Sequence, residues 1–247
     1  MHWVEQFFDD PFFAEDFELM KHEKDLTERE AQFIIAELGL QPVDNVLDFA
    51  CGFGRHVLAI APRVNAVTGT DRTESYIELA RQQAKKQQAS NVSFRVLDMR
   101  GLDYEAEFDA AYNYFNAWGY YDNDTNLDVL KRAYRSLKPG GRFLLEFMHR
   151  DGEMRRFTPR SWVRRDDGVL VLYERRLDFT AGRFYMKHIF IAGGQTREIE
   201  IDHQLPTSDE FVRLFQHAGF SNIRIVSAPD GGDVGITTSR IAVIGIA

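Results

Sequence analysis

Cysteine is almost missing from this chain. Cys51 is the only one in 247 residues, so no intramolecular disulfide can form and no multi-thiolate metal site can be built. That usage predicts a protein of a reducing, cytoplasmic compartment. Long apolar runs are lacking too: none approaches the roughly 20 residues that a membrane span requires. The first ten residues carry acids and no basic stretch, so neither export nor membrane insertion is expected. Positive charge is in deficit, with 30 Lys and Arg against 38 Asp and Glu and a formal net charge of -8. Such a balance argues against nucleic-acid binding through phosphate contacts and favours a small or uncharged partner. Internal repeats and low-complexity tracts are absent. At 44% apolar residues the composition is ordinary for a globular protein, and the length suits one α/β domain with a large core.

What the chain does have is alternation. Thr27-Glu-Arg-Glu30 reads as a capping box opening a helix through Ala31, Ile34, Ile35 and Leu38 before Gly39. Strand-like runs follow at 46–50 and 64–70, then a helix from about Thr73 to Ala89 and strands at 92–97 and about 108–114. A helix through Leu127, Leu130, Tyr134 and Leu137 stops at Lys138-Pro139-Gly140-Gly141, and 143–147 is strand-like. Strands alternating with helices on this scale imply a parallel, doubly wound sheet. Between about 157 and 205 the rhythm changes to an antiparallel meander, with Phe184, Met186, His188 and Phe190 on one face and Ile199, Ile201 and His203 on another. A last helix opens with the capping box Thr207-Ser-Asp-Glu210 and ends at Gly219. Two closing strands, about 222–227 and 240–246, complete one domain that carries an antiparallel β insert.

The chemistry concentrates at Val46-Leu-Asp48-Phe-Ala50-Cys51-Gly52-Phe-Gly54-Arg-His56, where an apolar run ends in an acid and a glycine-spaced turn. Glycine admits positive φ and lets a ligand touch main chain; a bare strand-to-helix turn reads the same way. Asp48, Asp71 and Asp98 fall at the ends of three successive predicted strands, and ligands of open parallel sheets bind beyond those ends. An ionised acid after the second strand is placed to accept both hydroxyls of a ribose. Each acid would also serve as a helix N-cap. A dinucleotide fingerprint needs a third small residue at position 57, which is Val, and Asp48 would repel a pyrophosphate but welcome a cationic sulfonium.

Taken together, Asp48-Phe-Ala-Cys-Gly-Phe-Gly54, Asp71, Asp98-Met99, Phe108-Asp-Ala-Ala-Tyr-Asn113 and Leu137-Lys-Pro-Gly-Gly141 resemble the class I S-adenosylmethionine-dependent methyltransferases, most of all the bacterial small-molecule branch with an aromatic N-terminal segment and a β-rich insert after the fifth strand. The resemblance covers nearly the whole chain. It implies a Rossmann-like, seven-stranded, mostly parallel sheet with an antiparallel last strand. It also implies S-adenosyl-L-methionine as cofactor and S-adenosyl-L-homocysteine as product. The cofactor is expected over Asp48, Ala50, Cys51, Gly52 and Gly54, with Asp71 and Arg72 at the ribose, Asp98 and Met99 at the adenine and Asn113 near the methionine moiety. Ala50 stands where many members have Gly. Arg29, on the first helix, is a candidate partner for the methionine carboxylate. Methyl transfer from a sulfonium is an in-line displacement that obliges neither a metal nor a covalent nucleophile, and no metal site is expected.

For the acceptor, the aromatic stretch 113–121 offers Phe115, Asn116, Trp118 and Tyr120 as a pocket floor, or as packing under the following helix. Trp3, Phe7, Phe8, Phe12 and Phe13, within an N-terminal segment of about 25 residues, form either a lid or an anchor; Phe7 and, from the insert, His203 are acceptor-side candidates. Tyr120 and His149 are the candidate proton-handling residues, with Glu146 and His203 behind them. His56 is expected to position the loop. The basic run Arg155, Arg156, Arg160, Arg164 and Arg165 is diluted by acids and reads as a solvated strand face more readily than as a site for an acidic or phosphorylated substrate. A methyltransferase acting on protein or nucleic acid, a non-catalytic cofactor-binding protein and, more remotely, a nicotinamide-dependent oxidoreductase stay open at this point. The insert offers an exposed sheet edge that a second subunit could cover, and oligomeric state is not fixed by the sequence.

Overall fold

The computed structural model describes residues 2–10 and 24–247; Phe12 and Phe13 lie outside the described residues. Seven strands, β1 (Asn45–Phe49), β2 (Ala66–Asp71), β3 (Val92–Val96), β4 (Phe108–Asn113), β5 (Leu137–Met148), β10 (Ser221–Ser227) and β11 (Arg240–Ile246), form one sheet in the order β10-β11-β5-β4-β1-β2-β3. β1 pairs in parallel with β2 and β4, while β11 runs antiparallel to both β5 and β10. This is the doubly wound sheet with an antiparallel last strand that the resemblance implied. Its central strands are buried on both faces, so their sequences are continuous apolar runs. Along β5, Phe143, Leu145 and Phe147 join Leu47, Phe49, Phe211 and Phe215 in one core, while Leu144 joins Val46, Ile34, Leu38 and Ile60 in the core on the opposite face. The two-residue period of a strand is what divides them.

Around the sheet pack α1 (Trp3–Asp9), α2 (Lys24–Leu38), α3 (Arg55–Ile60), α4 (Glu74–Lys86), α5 (Asn123–Ser136), α6 (Arg150–Arg155) and α7 (Ser208–Ala218). The Thr207 capping box is present in full, and Gly219 closes α7 in the left-handed conformation with φ of 113°. The Thr27 capping box is not formed. Helix α2 starts three residues earlier, which places Thr27 inside the helix, and Glu30 is instead fully buried against Arg55, His56 and Arg240. β5 begins at Leu137, directly after α5, because Leu137 pairs with Phe108 before the register shifts through Pro139, Gly140 and Gly141. None of the helices among the described residues is long and apolar enough to cross a membrane.

The insert is a four-stranded antiparallel sheet, β6 (Arg160–Arg164), β7 (Leu170–Asp178), β8 (Arg183–Ala192) and β9 (Gln195–Gln204). Its first strand comes from the basic run. The two predicted faces are a single face: Phe184 pairs with His203, Met186 with Ile201 and His188 with Ile199. That face is buried, and α1 lies against it through Phe7, which packs with Val171, Phe190 and Ile199. Gln204 N donates to the Gly119 carbonyl at 2.7 Å, joining the end of the insert to the aromatic loop after β4.

Candidate active site

The turn after β1 is built on positive φ: Ala50 at 60°, Gly52 at 54° and Gly54 at 74°. At Gly54 an added Cβ would stand 2.7 Å from Phe94 Cε1, so that ring would have to move. The turn is tied to the end of β2 by Asp71. One carboxylate oxygen of Asp71 accepts from Gly52 N and the other from Thr73 N, both at 2.9 Å. Each oxygen keeps lone-pair capacity for a ligand.

Beyond these strand ends lies a cavity of about 50 Å³. Ala50, Gly52, Asp71, Arg72, Leu97, Asp98 and Met99 come to it from the turns after β1, β2 and β3; Tyr114, Phe115, Ala117 and Tyr120 come from the loop after β4; Tyr76 comes from α4, and Val4 and Phe8 from α1. Burial alone would raise the Asp98 carboxyl, but hydrogen bonds from the Arg100 side chain and N–H hold it below the usual carboxylate range. Burial first, and then the nearby Asp71 charge, push the Tyr120 phenol well above its ordinary value. It is therefore protonated at neutral pH and can donate a hydrogen bond. Tyr114 Oη is buried with no hydrogen-bond partner among the described residues, a polar orphan on the wall of the site.

Helix α1 closes the cavity on one side. Val4 and Phe8, one turn apart, face it, while Phe7 faces the insert. Trp3 packs edge-on against Tyr120 with ring centroids 5.0 Å apart. The Arg72 guanidinium holds the helix by donating to both oxygens of Asp9, at 2.9 and 3.1 Å, and to the Val4 carbonyl at 3.3 Å. Helix α1 thus lies on the cavity and is tied down there by Arg72.

Of the residues nominated from sequence, Ala50, Gly52, Asp71, Arg72, Asp98, Met99, Phe115 and Tyr120 converge on this cavity. The others stand elsewhere. Arg29 is exposed and paired with Asp230, because it lies on the solvent side of α2 while Glu30 and Ala31 face inward. Asp48 is buried within β1, in register with Tyr112 of β4. Cys51 turns its thiol toward the Gly52 carbonyl, and Gly54 shapes the turn without lining the cavity. Asn113 braces the loop, its amide donating to the Phe49 and Ala117 carbonyls at 2.8 and 3.1 Å. Asn116 is partly buried beside Phe115 but does not line the cavity. Trp118 is fully buried in the core, its indole N–H donating to the Asn126 carbonyl. His149 is buried against the Thr238 carbonyl at 3.1 Å. His203 is enclosed by Phe147 and Phe184, and burial, with Arg183 nearby, lowers it to about 4. Phe7 belongs to the α1–insert contact.

Sequence reasoning missed a buried ionic network behind the loop after β4. Glu30 accepts from Arg55 Nη1 at 2.5 Å and Arg240 Nη1 at 2.9 Å, and stands 3.0 Å from His56 Nε2. Glu146, also fully buried, accepts from Arg240 Nε at 2.5 Å. Tyr76 was missed as well, since an aromatic residue on an apolar helix face reads as core; Tyr114 lies within the aromatic stretch 113–121 but was not singled out there. Among the described residues no group of three or more His, Cys, Asp or Glu is arranged to hold a metal ion.

A family model described as a methyltransferase domain matches residues 46–141, the stretch carrying the glycine turn, Asp71 and Asp98. The ubiquinone/menaquinone biosynthesis C-methyltransferase UbiE of Geotalea daltonii is 26% identical over 204 residues, covering 77% of this chain and 76% of that protein. A 23S rRNA (uracil(1939)-C(5))-methyltransferase RlmD of Pectobacterium carotovorum is 37% identical over 60 residues, 24% of this chain, which spans only 13% of that protein's length. Among solved structures, the CcbJ methyltransferase from Streptomyces caelestis superposes with a TM-score of 0.78 at 20% identity, covering 90% of this chain and 89% of that one. The S-adenosylmethionine-bound CalS10 from Micromonospora echinaspora, an amino pentose methyltransferase, superposes with a TM-score of 0.65 at 20% identity, covering 95% and 97%. At such identities these two establish the shared fold. Residues 46–141 thus match a methyltransferase-domain family, and the chain as a whole has the Rossmann-like fold of the S-adenosylmethionine-dependent methyltransferases with which it superposes.

Proposed function

We propose that this protein transfers a methyl group from S-adenosylmethionine to a small-molecule acceptor by in-line displacement. The observation that carries the reading is the composition of the cavity, acids on one side and aromatic rings on the other, with a helix across it. In this reading Asp71 holds the ribose hydroxyls, Asp98 and the Met99 backbone take the adenine, and Gly52 lets main chain touch the cofactor. The bound cofactor supplies an electrophilic methyl group. The chain's own contribution is to hold donor and acceptor in line and to exclude water, which Val4, Phe8 and Phe115 are placed to do.

Proton handling narrows the acceptor. Tyr120 keeps its proton, Asp71 is committed to two N–H groups and Asp98 to Arg100, while His149 and His203 stand outside the cavity. Among the described cavity residues none is poised as a general base, so the reading requires an acceptor atom that is nucleophilic by itself. A small acceptor also suits a site covered by α1 and a net charge of -8. The relatives whose alignments run over most of the chain are named for a quinone biosynthesis step and an amino pentose, whereas the rRNA relative matches only a short stretch.

The test is calorimetric titration with S-adenosylhomocysteine and, separately, NADH, on the wild type and Asp71→Ala, followed by methyl-transfer assays against small metabolites, RNA and protein. Binding of the homocysteine nucleoside that is lost in Asp71→Ala, and turnover confined to a small molecule, is the expected result. Binding of NADH alone, or methylation of RNA or protein alone, refutes the proposal.

A further inference from the structure

We infer that Glu146 is a positioning residue for the methyl donor, acting through the Phe115–Asn116 turn that forms part of the cavity wall. This rests on reading the cavity as the donor site. Phe115 and Asn116 hold successive left-handed conformations, with φ of 72° and 57°. A bulky aromatic rarely adopts that region unless its surroundings force it. Here the force is visible: Glu146 Oε2 accepts from Phe115 N at 2.7 Å and from Asn116 N at 3.2 Å. Two consecutive N–H groups thus converge on one anionic oxygen, which ties both residues of the turn to a single buried acceptor.

The carboxylate cannot turn away from that duty. Its other oxygen is held by Arg240 Nε at 2.5 Å, Arg240 is fixed in turn by Glu30, and Glu30 by Arg55. The same two guanidiniums lie against the Phe115 ring, with Cζ 5.5 Å from its centroid for Arg55 and 5.2 Å for Arg240. Ring and backbone of Phe115 are therefore set by one charged scaffold, and Phe115 lines the cavity. Both oxygens of Glu146 are occupied and the side chain is fully buried, so it shapes the donor site without exchanging protons there.

Glu146→Asp keeps the charge that Arg240 needs and withdraws the carboxylate from the turn by one methylene. The dissociation constant for S-adenosylhomocysteine and the KM for S-adenosylmethionine should rise about tenfold, with cooperative thermal unfolding retained. In a Phe115→Ala background the same change should raise the dissociation constant less than twofold, because the side chain that the turn holds at the cavity is gone even though its N–H groups remain. Unchanged affinity in folded Glu146→Asp, or an equal fold-loss in both backgrounds, overturns the inference. If Glu146→Asp does not fold, Arg240→Lys leaves the carboxylate at full length but frees its orientation, and the same cycle decides on it. Failure of the wild type to bind S-adenosylhomocysteine would strike the donor-site reading instead.

Discussion

Glu30→Gln is the sharpest probe of the buried network, because the wild-type carboxylate is fully enclosed among Arg55, His56 and Arg240. Burial opposes its ionisation, yet the His56 hydrogen bond, Arg55, the His56 ring and Arg240 together lower it from 4.5 to about 2. That difference is worth about 3 kcal/mol at 1.36 kcal/mol per unit of pKa. Removing one partner of a buried ion pair typically costs about 3 to 5 kcal/mol, so two independent routes agree. Because the folded value lies below the unfolded one, the stabilisation is complete above pH 4.5 and drains away as the pH falls toward 2. Urea denaturation followed by circular dichroism should show Glu30→Gln less stable by about 3 kcal/mol at pH 7, a fall in melting temperature of roughly 6 to 12 °C for a chain of this length. The gap should stay level from pH 8 to 5 and shrink below it. Equal stability at pH 7 would refute the reasoning. A gap that changes between pH 6 and 8 would assign the titration to the His56 imidazole.

Gly54→Ala places a Cβ at φ of 74° and 2.7 Å from Phe94 Cε1. The partly exposed Phe94 ring can swing aside, so the lasting cost is the left-handed backbone, about 1 to 2 kcal/mol, readable as a lower melting temperature. His149→Ala loses the hydrogen bond to the Thr238 carbonyl and should cost about 1 to 3 kcal/mol of stability, while kcat stays within about twofold; a far larger loss of kcat at full folding would bring His149 back to the chemistry. Asp9→Asn breaks the partly exposed pair to Arg72, and such pairs are worth up to about 1 kcal/mol. Release of S-adenosylhomocysteine in stopped flow should speed up by no more than about fivefold, and the gain should fade at high salt. Unchanged release at low salt would mean that α1 is held by its apolar contacts alone.

Much of the fold is written locally. The apolar runs of β1, β4 and β5, the Thr207 capping box and the left-handed Gly219 are each set by a few adjacent residues, and each is recovered. Thr27 failed for a related reason: a capping box is a local pattern, and nothing near it shows that Glu30 is needed elsewhere. Arg160–Arg164 reads as a solvated strand face, and it is one, with β7 pairing along it, Arg160 against Glu174. Phe184 and His203 look like members of two faces until the β8–β9 register sets them side by side.

The site divides along the same line. Asp71, Asp98, Gly52 and Met99 were legible because a parallel sheet delivers every strand's carboxyl end to one edge, so position along a strand settles position in the cavity. Direction of a side chain within a loop is not settled that way. Trp118 and Tyr120 are two residues apart in one aromatic stretch, yet the first is drawn into the core by the Asn126 carbonyl and the second reaches the cavity. The ionic network is further still from any local pattern, since Arg240 stands 94 positions from Glu146 and 210 from Glu30. Buried charges are tolerated only when paired, so Glu30 and Glu146 constrain each other through Arg240 although no stretch of sequence contains both. The strained turn that carries Phe115 to the cavity therefore depends on a helix and a final strand that neither line the cavity nor announce themselves near it.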